Sequence, residues 1–229
     1  MPWSRPAKIA FIGSHGIRKT TAALAFANVI QRAGRSVEFA REVVRDNPLG
    51  INEGSSSEAQ LWVLASQIRR ELELAPKAEC LVTDRGVMDN FAYYLRACGG
   101  EDRWSVEPLV RAWSATYDLV VRLTPDVELR ADGIRSTSDR FRDEVEAILD
   151  ARLPGLVPHE RLVVQPASEV NERFDWWPLA ERLAARLGES LLAPGVERPS
   201  RRIRGGHRRD VPSGTEGPDQ LTLDLGRRT

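Results

Sequence analysis
The amino-acid sequence predicts an α/β fold, a parallel sheet with helices on both faces. Three observations carry that reading. Short apolar runs alternate along the chain with longer segments of helical periodicity, the pattern of parallel strands joined by helical crossovers. A glycine-containing turn, Gly13 to Gly16, stands directly between the first apolar run and the first helical segment. The chain has 229 residues, 41% apolar and 29% charged, which suits one full α/β domain with its own core and not two comfortable ones.

Lys8 to Ile12, rich in Ile and Phe and bounded by Gly13, reads as a buried strand. Lys19 to Ala33 is rich in Ala and ends at Gly34, so it reads as a helix with a glycine just past its end. Ser36 to Ala40 is the second strand, and Asn47-Pro48-Leu49-Gly50 marks a stop some residues beyond it. Ser57 reads as an N-cap. Beyond it Leu61, Leu64, Ala65, Ile68 and Leu72 recur at helical spacing as one apolar face, ended by Pro76. Glu79 to Thr83 is the third strand and closes on Asp84. Helices are read over Val87 to Ala97 and Glu107 to Thr116, a fourth strand over Tyr117 to Leu123, and a helix over Asp139 to Leu153. Arg161 to Gln165 is the fifth strand, and Trp177 to Leu187 is the last helix.

The first turn carries chemistry. Gly13-Ser14-His15-Gly16-Ile17-Arg18-Lys19-Thr20 follows the template of a P-loop, G-x-x-x-x-G-K-S/T between a strand and a helix. Glycines let the backbone wrap a phosphate closely, and amide N–H groups at a helix N-terminus supply partial positive charge. Lysine reaches the β- and γ-phosphates, and the threonine hydroxyl helps to hold Mg²⁺. On this reading Gly13, Ser14, His15, Gly16, Arg18, Lys19, Thr20 and Thr21 bind ATP, with His15 as a further donor. A plain glycine-rich turn without a ligand is the competing reading; strand, loop, Lys-Thr and helix all stand in register against it.

Arg18 departs from the template, because it stands where the second glycine belongs. A side chain there either clashes with the phosphate or is recruited to it. Two cations at the positive end of a helix dipole are each unfavourable by ~0.3–1 kcal/mol without an anion. Keeping both Arg18 and Lys19 makes better sense if an anion binds.

The third strand ends in an acid, Asp84, where a P-loop fold presents a carboxylate to Mg²⁺. Thr20 and Asp84 are therefore the candidate metal ligands. Arg85 comes next and Asp89 lies about one helical turn on; both are candidates for contact with a substrate.

The segment from Asp84-Arg85-Gly86-Val87-Met88-Asp89 to Tyr93-Tyr94, taken with Gly13 to Thr21, resembles a known family. It is similar to AAA-domain-type ATP-binding proteins related to the ribosylnicotinamide kinase domain of the bifunctional NAD regulator. More distantly it resembles thymidylate and deoxynucleoside kinases. Two further elements match, Arg41-Glu42 after the second strand and Asp132-Gly133-Ile134-Arg135 before a lid helix. The resemblance spans about residues 7–188 and implies a three-layer α/β/α P-loop NTPase fold with a five-stranded parallel sheet. It also implies ATP- and Mg²⁺-dependent phosphoryl transfer to a small-molecule acceptor. Arg41, Glu42 and Arg85 would lie near that acceptor, and Arg135, Arg140 and Arg142 would belong to a lid over the phosphates.

Without the family, Arg130, Arg135, Arg140 and Arg142 still form a cluster in one polar segment, suited to stabilising charge on a transferred phosphoryl group. Arg135, beside the turn, is the catalytic candidate among them. Arg140 and Arg142 can equally pair with the acids around them as a solvated helix start. Glu42 is the candidate general base; it can equally pair with Arg45 or Arg41.

Composition adds bounds. The net charge of +0 gives no whole-chain argument for nucleic acid or membrane. Cys80 and Cys98 are too few for a disulfide framework and read as small core residues of a reduced compartment. There is no signal-peptide pattern and no run of about 18 apolar residues, so a soluble cytoplasmic protein is expected. After Gly188 the composition turns to Pro, Gly, Ser and Arg, predicting a flexible tail over 189–229. Within it, the arginines from Arg198 to Arg209 suit weak contact with a polyanion. Gln220-Leu221-Thr222-Leu223-Asp224-Leu225 resembles the peptides that dock on the bacterial sliding clamp. Two alternatives to a kinase stay open: a nucleotide-binding regulator or ATPase without an acceptor, and a P-loop protein impaired by Arg18.

Overall fold
The computed structural model of the chain describes residues 1–50, 54–126 and 138–198. Five strands, β1 (Ala7–Ile12), β2 (Val37–Ala40), β3 (Cys80–Asp84), β4 (Leu119–Thr124) and β5 (Leu162–Pro166), form one sheet in the order β2-β3-β1-β4-β5. Every pairing is parallel. Helices α1 (Lys19–Arg32), α2 (Ser57–Leu74), α3 (Val87–Ala97), α4 (Glu107–Ser114), α5 (Asp139–Leu156) and α6 (Trp177–Arg186) connect or follow the strands. This is the three-layer α/β/α arrangement with a five-stranded parallel sheet that the sequence predicts.

The strands are buried on both faces, so their side chains alternate between two cores rather than between core and water. Ile9 and Phe11 of β1 join Phe26 of α1 and Trp176 and Leu183 from the α6 side. Ala10 and Ile12 join Phe91 and Tyr94 of α3 and Phe141, Val145 and Leu149 of α5. Phe11 packs edge-on to Trp176 at 5.5 Å between ring centres, which ties β1 to the segment before α6.

Several boundaries differ from the sequence reading by a residue or more, three of them as follows. The N-cap of α2 is Ser56, whose side chain accepts from the Ala59 N–H, rather than Ser57. Helix α5 runs through Pro154 to Leu156. Residues 189–198 belong to the compact unit Met1–Arg198, although their composition reads as tail. Leu191 is buried, the Ala193 N–H donates to the Ala33 carbonyl, and the Arg35 guanidinium donates to the carbonyls of Ser190, Leu191 and Leu192. One buried arginine with several backbone acceptors holds the segment that composition alone would release.

The phase of α2 also differs. Ala65 and Leu72 are exposed, while Gln67 and Glu71 are buried. The polar pair has partners inside: Glu71 accepts from Lys8, Trp113, Tyr117 and Gln67. Among the described residues, no helix is long and apolar enough to cross a membrane.

Candidate functional site
The chain passes to one side of β1 for β2 and β3, then to the other for β4 and β5, and so opens a crevice at the carboxyl ends of the central strands. The loop from Gly13 to Arg18 lies there. Gly13 has φ 140°, and a Cβ on it would meet the Leu123 carbonyl oxygen at 2.6 Å and Ile17 Cδ1 at 2.5 Å, so only glycine fits. Gly16 has φ 78°. Arg18 has φ 62° and ψ 25°, so it keeps the left-handed turn open to a glycine at this template position. For an L-residue that conformation costs about 1–2 kcal/mol. Its side chain is exposed rather than folded into the loop. The loop therefore keeps its curvature, and the arginine leaves on the outer side.

Inside the loop, buried polar groups have few partners. Lys19 is 4% exposed; its ammonium donates to the Ser14 carbonyl at 2.5 Å, and among the described residues no carboxylate pairs with it. Burial, helped by the nearby Arg85 charge, lowers its pKa to about 7. The Ser14 hydroxyl is buried without a hydrogen-bond partner. His15 is buried: it stacks on Phe141 of α5 at 5.2 Å and its Nδ1 lies 3.1 Å from the Tyr93 hydroxyl.

The parallel register sets Asp84 opposite Phe11, two residues before the loop begins. Thr20, in the first turn of α1, then donates its hydroxyl to Asp84 Oδ2 at 2.5 Å. Residues 64 apart in sequence thus converge as a hydroxyl and a carboxylate beside the loop. These hard oxygen donors, next to an orphaned hydroxyl and a buried lysine without a direct carboxylate partner among the described residues, fit Mg²⁺ with a phosphate chain.

Beyond Asp84 the backbone of Arg85 is also left-handed, φ 89°, and its N–H donates to the Phe11 carbonyl. This turn sends a fully buried guanidinium into a carboxylate pair: Arg85 Nε donates to Glu42 at 2.5 Å and Nη1 to Asp89 at 3.3 Å. Burial disfavours the Arg85 charge, but Glu42, Tyr93 and Asp89 outweigh it and hold the group cationic. Burial pushes the Asp89 carboxyl up from the usual carboxylate range, partly offset by Arg85 and Lys19. Asp89 also accepts from the Gly86 N–H and so starts α3. Two of the three described non-glycine residues with positive φ, Arg18 and Arg85, therefore flank the phosphate loop, where strain commonly collects.

Lys19, Thr20, Asp84, Glu42, Arg85 and Asp89 come together. Two other candidates stand apart: Arg41 is 69% exposed and pairs with Asp46, and Arg140 is 90% exposed and pairs with Glu144 on its own helix. Thr21 is exposed on α1. Arg130, Arg135 and the Asp132-Gly133 turn lie outside the described residues, as do the tail arginines beyond Arg198 and the Gln220 to Leu225 stretch.

The sequence reading missed a second anchor of the loop. The Ser14 N–H donates to Glu146 of α5 at 2.8 Å, and Glu146 is held by the buried Arg122 of β4. Arg122 bridges on to Asp150 at 3.1 Å. The signal was an arginine inside the apolar run Val120-Val121-Arg122-Leu123, since a buried charge needs a partner. Also missed is a cleft of about 830 Å³ on the outer side of the loop, lined by Arg18, Thr21 and Ala25 and by the segment from Val170 to Trp176. No motif marks that segment.

Residues 8–173 match the model of an AAA domain family, and the chain belongs to that family. Among solved structures, the NadR protein in complex with NR is 18% identical, with a TM-score of 0.60 over 85% of this chain and 54% of that one. NadR in complex with NAD and AMP-PNP is 14% identical, with a TM-score of 0.55 over 85% of this chain and 52% of that one. A thymidylate kinase from Ehrlichia chaffeensis is 19% identical, with a TM-score of 0.51 over 75% of this chain and 91% of that one. The chain thus spans about half the length of the NadR structures and has the P-loop kinase fold. A search of curated proteins found no match.

Proposed function
We propose that the protein is an ATP-dependent kinase of a small nucleoside- or nucleotide-type acceptor. The observation that carries the reading is the contact of Thr20 with Asp84 at 2.5 Å beside Lys19, a buried cation without a direct carboxylate partner among the described residues. It joins a phosphate-binding loop to a cation site, and the buried Glu42–Arg85–Asp89 group adjoins it. A bare anion-binding turn needs none of these carboxylates.

In this reading Lys19 and the loop amides hold the phosphate chain, and Thr20 with Asp84 holds Mg²⁺. Bound there, Mg²⁺ would supply charge neutralisation to the phosphate chain. An acceptor hydroxyl lies toward Glu42 and Arg85. The bond between the γ-phosphorus and the β–γ bridging oxygen breaks, a new bond forms from that phosphorus to the acceptor oxygen, and the hydroxyl proton passes to Glu42. Arg85 positions Glu42 by donating to it. Arg135 and Arg140 are candidates to meet the γ-phosphate if the segment before α5 folds over it. Arg41 reaches the acceptor only if it leaves Asp46.

The test is an acceptor screen with magnesium and ATP, read by mass spectrometry of the products. A phosphorylated nucleoside, nucleotide or ribosyl compound, absent with Lys19→Ala, is expected. ATP hydrolysis without any phosphorylated product favours the second reading, a nucleotide-dependent regulator or ATPase. Arg18 is the observation that keeps that reading in view.

A further inference from the structure
The cleft outside the phosphate loop has no role in the phosphoryl transfer itself. Thr21 and Ala25, four apart on α1, form one wall together with Arg18, the left-handed residue just before the helix. The opposite wall is the segment between β5 and α6, with Asn171, Phe174 and Trp176. Its volume of about 830 Å³ falls within the ~300–1,000 Å³ of small-molecule sites. A phosphate chain held at the N-terminus of α1 has two ways out. On the β3 side stand Asp84, Arg85 and Glu42. On the β5 side stands this cleft. If the acceptor occupies the first, the organic part of the donor occupies the second.

The chemistry of the walls suits a flat heteroaromatic ring. Phe174 and Trp176 lie 4.4 Å apart between ring centres and give an aromatic wall. Arg18 lines the same cleft, and its guanidinium is a planar cation of the kind that stacks on aromatic faces. Arg18 keeps a costly left-handed backbone, and the exposed residue lines this cleft.

We propose that Arg18 is a specificity-determining residue of the donor site, whose guanidinium clamps the nucleobase of the bound nucleotide against the Phe174 side of the cleft. The inference rests on the kinase reading for the presence of a nucleotide. Arg18 then neither blocks the phosphate nor binds it, but holds the other end of the same ligand.

The test is calorimetric titration of the full chain with magnesium–ATP and with magnesium–tripolyphosphate, which has the phosphates and no base. Wild type, Arg18→Gly, Arg18→Met and Lys19→Ala are compared, with thermal melts to confirm folding. Arg18→Gly and Arg18→Met should each weaken ATP by about tenfold, the scale of one guanidinium–aromatic contact. Both should leave tripolyphosphate nearly unchanged, and Arg18→Gly should melt higher than wild type. Unchanged or tighter ATP binding in the Arg18 variants overturns the proposal. So does an equal loss of both ligands, which would put the arginine on the phosphates. In either case, wild-type binding that Lys19→Ala abolishes leaves the kinase reading standing. If wild type binds neither ligand, both fall.

Discussion
Two lysines are buried in this fold, and the protein provides for them in opposite ways. Lys8, near the start of β1, has its ammonium 2.8 Å from Glu71 and sits over the rings of Trp113 at 4.5 Å and Tyr117 at 4.3 Å. Lys19, just beyond the loop after β1, has only a backbone carbonyl at 2.5 Å and a lowered pKa. Both are less than a tenth exposed. A cation whose partners are all inside the chain is structural. In the proposed function, a cation buried at a helix start beside an orphaned hydroxyl is the one that meets the ligand.

The largest expected effect tests the structural lysine. Lys8→Met leaves the Glu71 carboxylate buried without its cation and should cost about 3–5 kcal/mol in urea denaturation. The loss should be partly recovered in Lys8→Met with Glu71→Gln, because the two residues share one interaction. A loss as small as that of a surface substitution would erase the contrast between the two lysines.

The matching change at the other lysine should move binding instead. Lys19→Ala should weaken magnesium–ATP by about 100-fold, close to the ~3 kcal/mol upper range for a hydrogen bond to a charged group. Stability should hold or rise, since a poorly compensated buried cation is removed. Calorimetry and a thermal melt on the same sample check both.

Proton linkage sharpens the difference. Lys19 has a folded pKa of about 7 against the ordinary 10.5. The unfolded chain holds more protons between those values, so this group's penalty is full below pH 7 and is relieved as pH rises toward 10.5. Wild type without ligand should gain stability across that window, and Lys19→Ala should gain less. ATP restores the charge, so binding at pH 8 should take up protons, seen as heats that change with the ionisation enthalpy of the buffer.

The smallest effect concerns the strained neighbour. Arg18→Gly relieves the left-handed backbone but gives the unfolded chain more freedom, so the net gain should be at most about 1 kcal/mol. A loss in the melting experiment would show that the guanidinium stabilises the empty protein.

Part of the candidate site's geometry was legible because it is local. Gly13, Lys19 and Thr20 stand in or beside a short loop whose shape follows from the chain next to it, whereas Asp84 reaches that loop only because β3 pairs with β1. The phase of α2 was not legible. Leu61, Leu64 and Ile68 predict an apolar face, but burial of Gln67 and Glu71 depends on Lys8, Trp113 and Tyr117, which lie far away in sequence. Arg41 and Arg140 fit the expected pattern of residue types, yet each has an acid within reach on its own stretch of chain.

The sequence by itself determined the alternation of strands and helices and the loop after β1, because those follow from periodicity and from short-range backbone geometry. Only the tertiary structure decided which charges are satisfied. It brought Glu42 to Arg85, Glu146 to the Ser14 N–H and Glu71 to Lys8, and it opened a cleft beside Arg18. The reason is physical: a buried charge is settled by whatever group the sheet order carries to it, and sequence distance does not measure that approach.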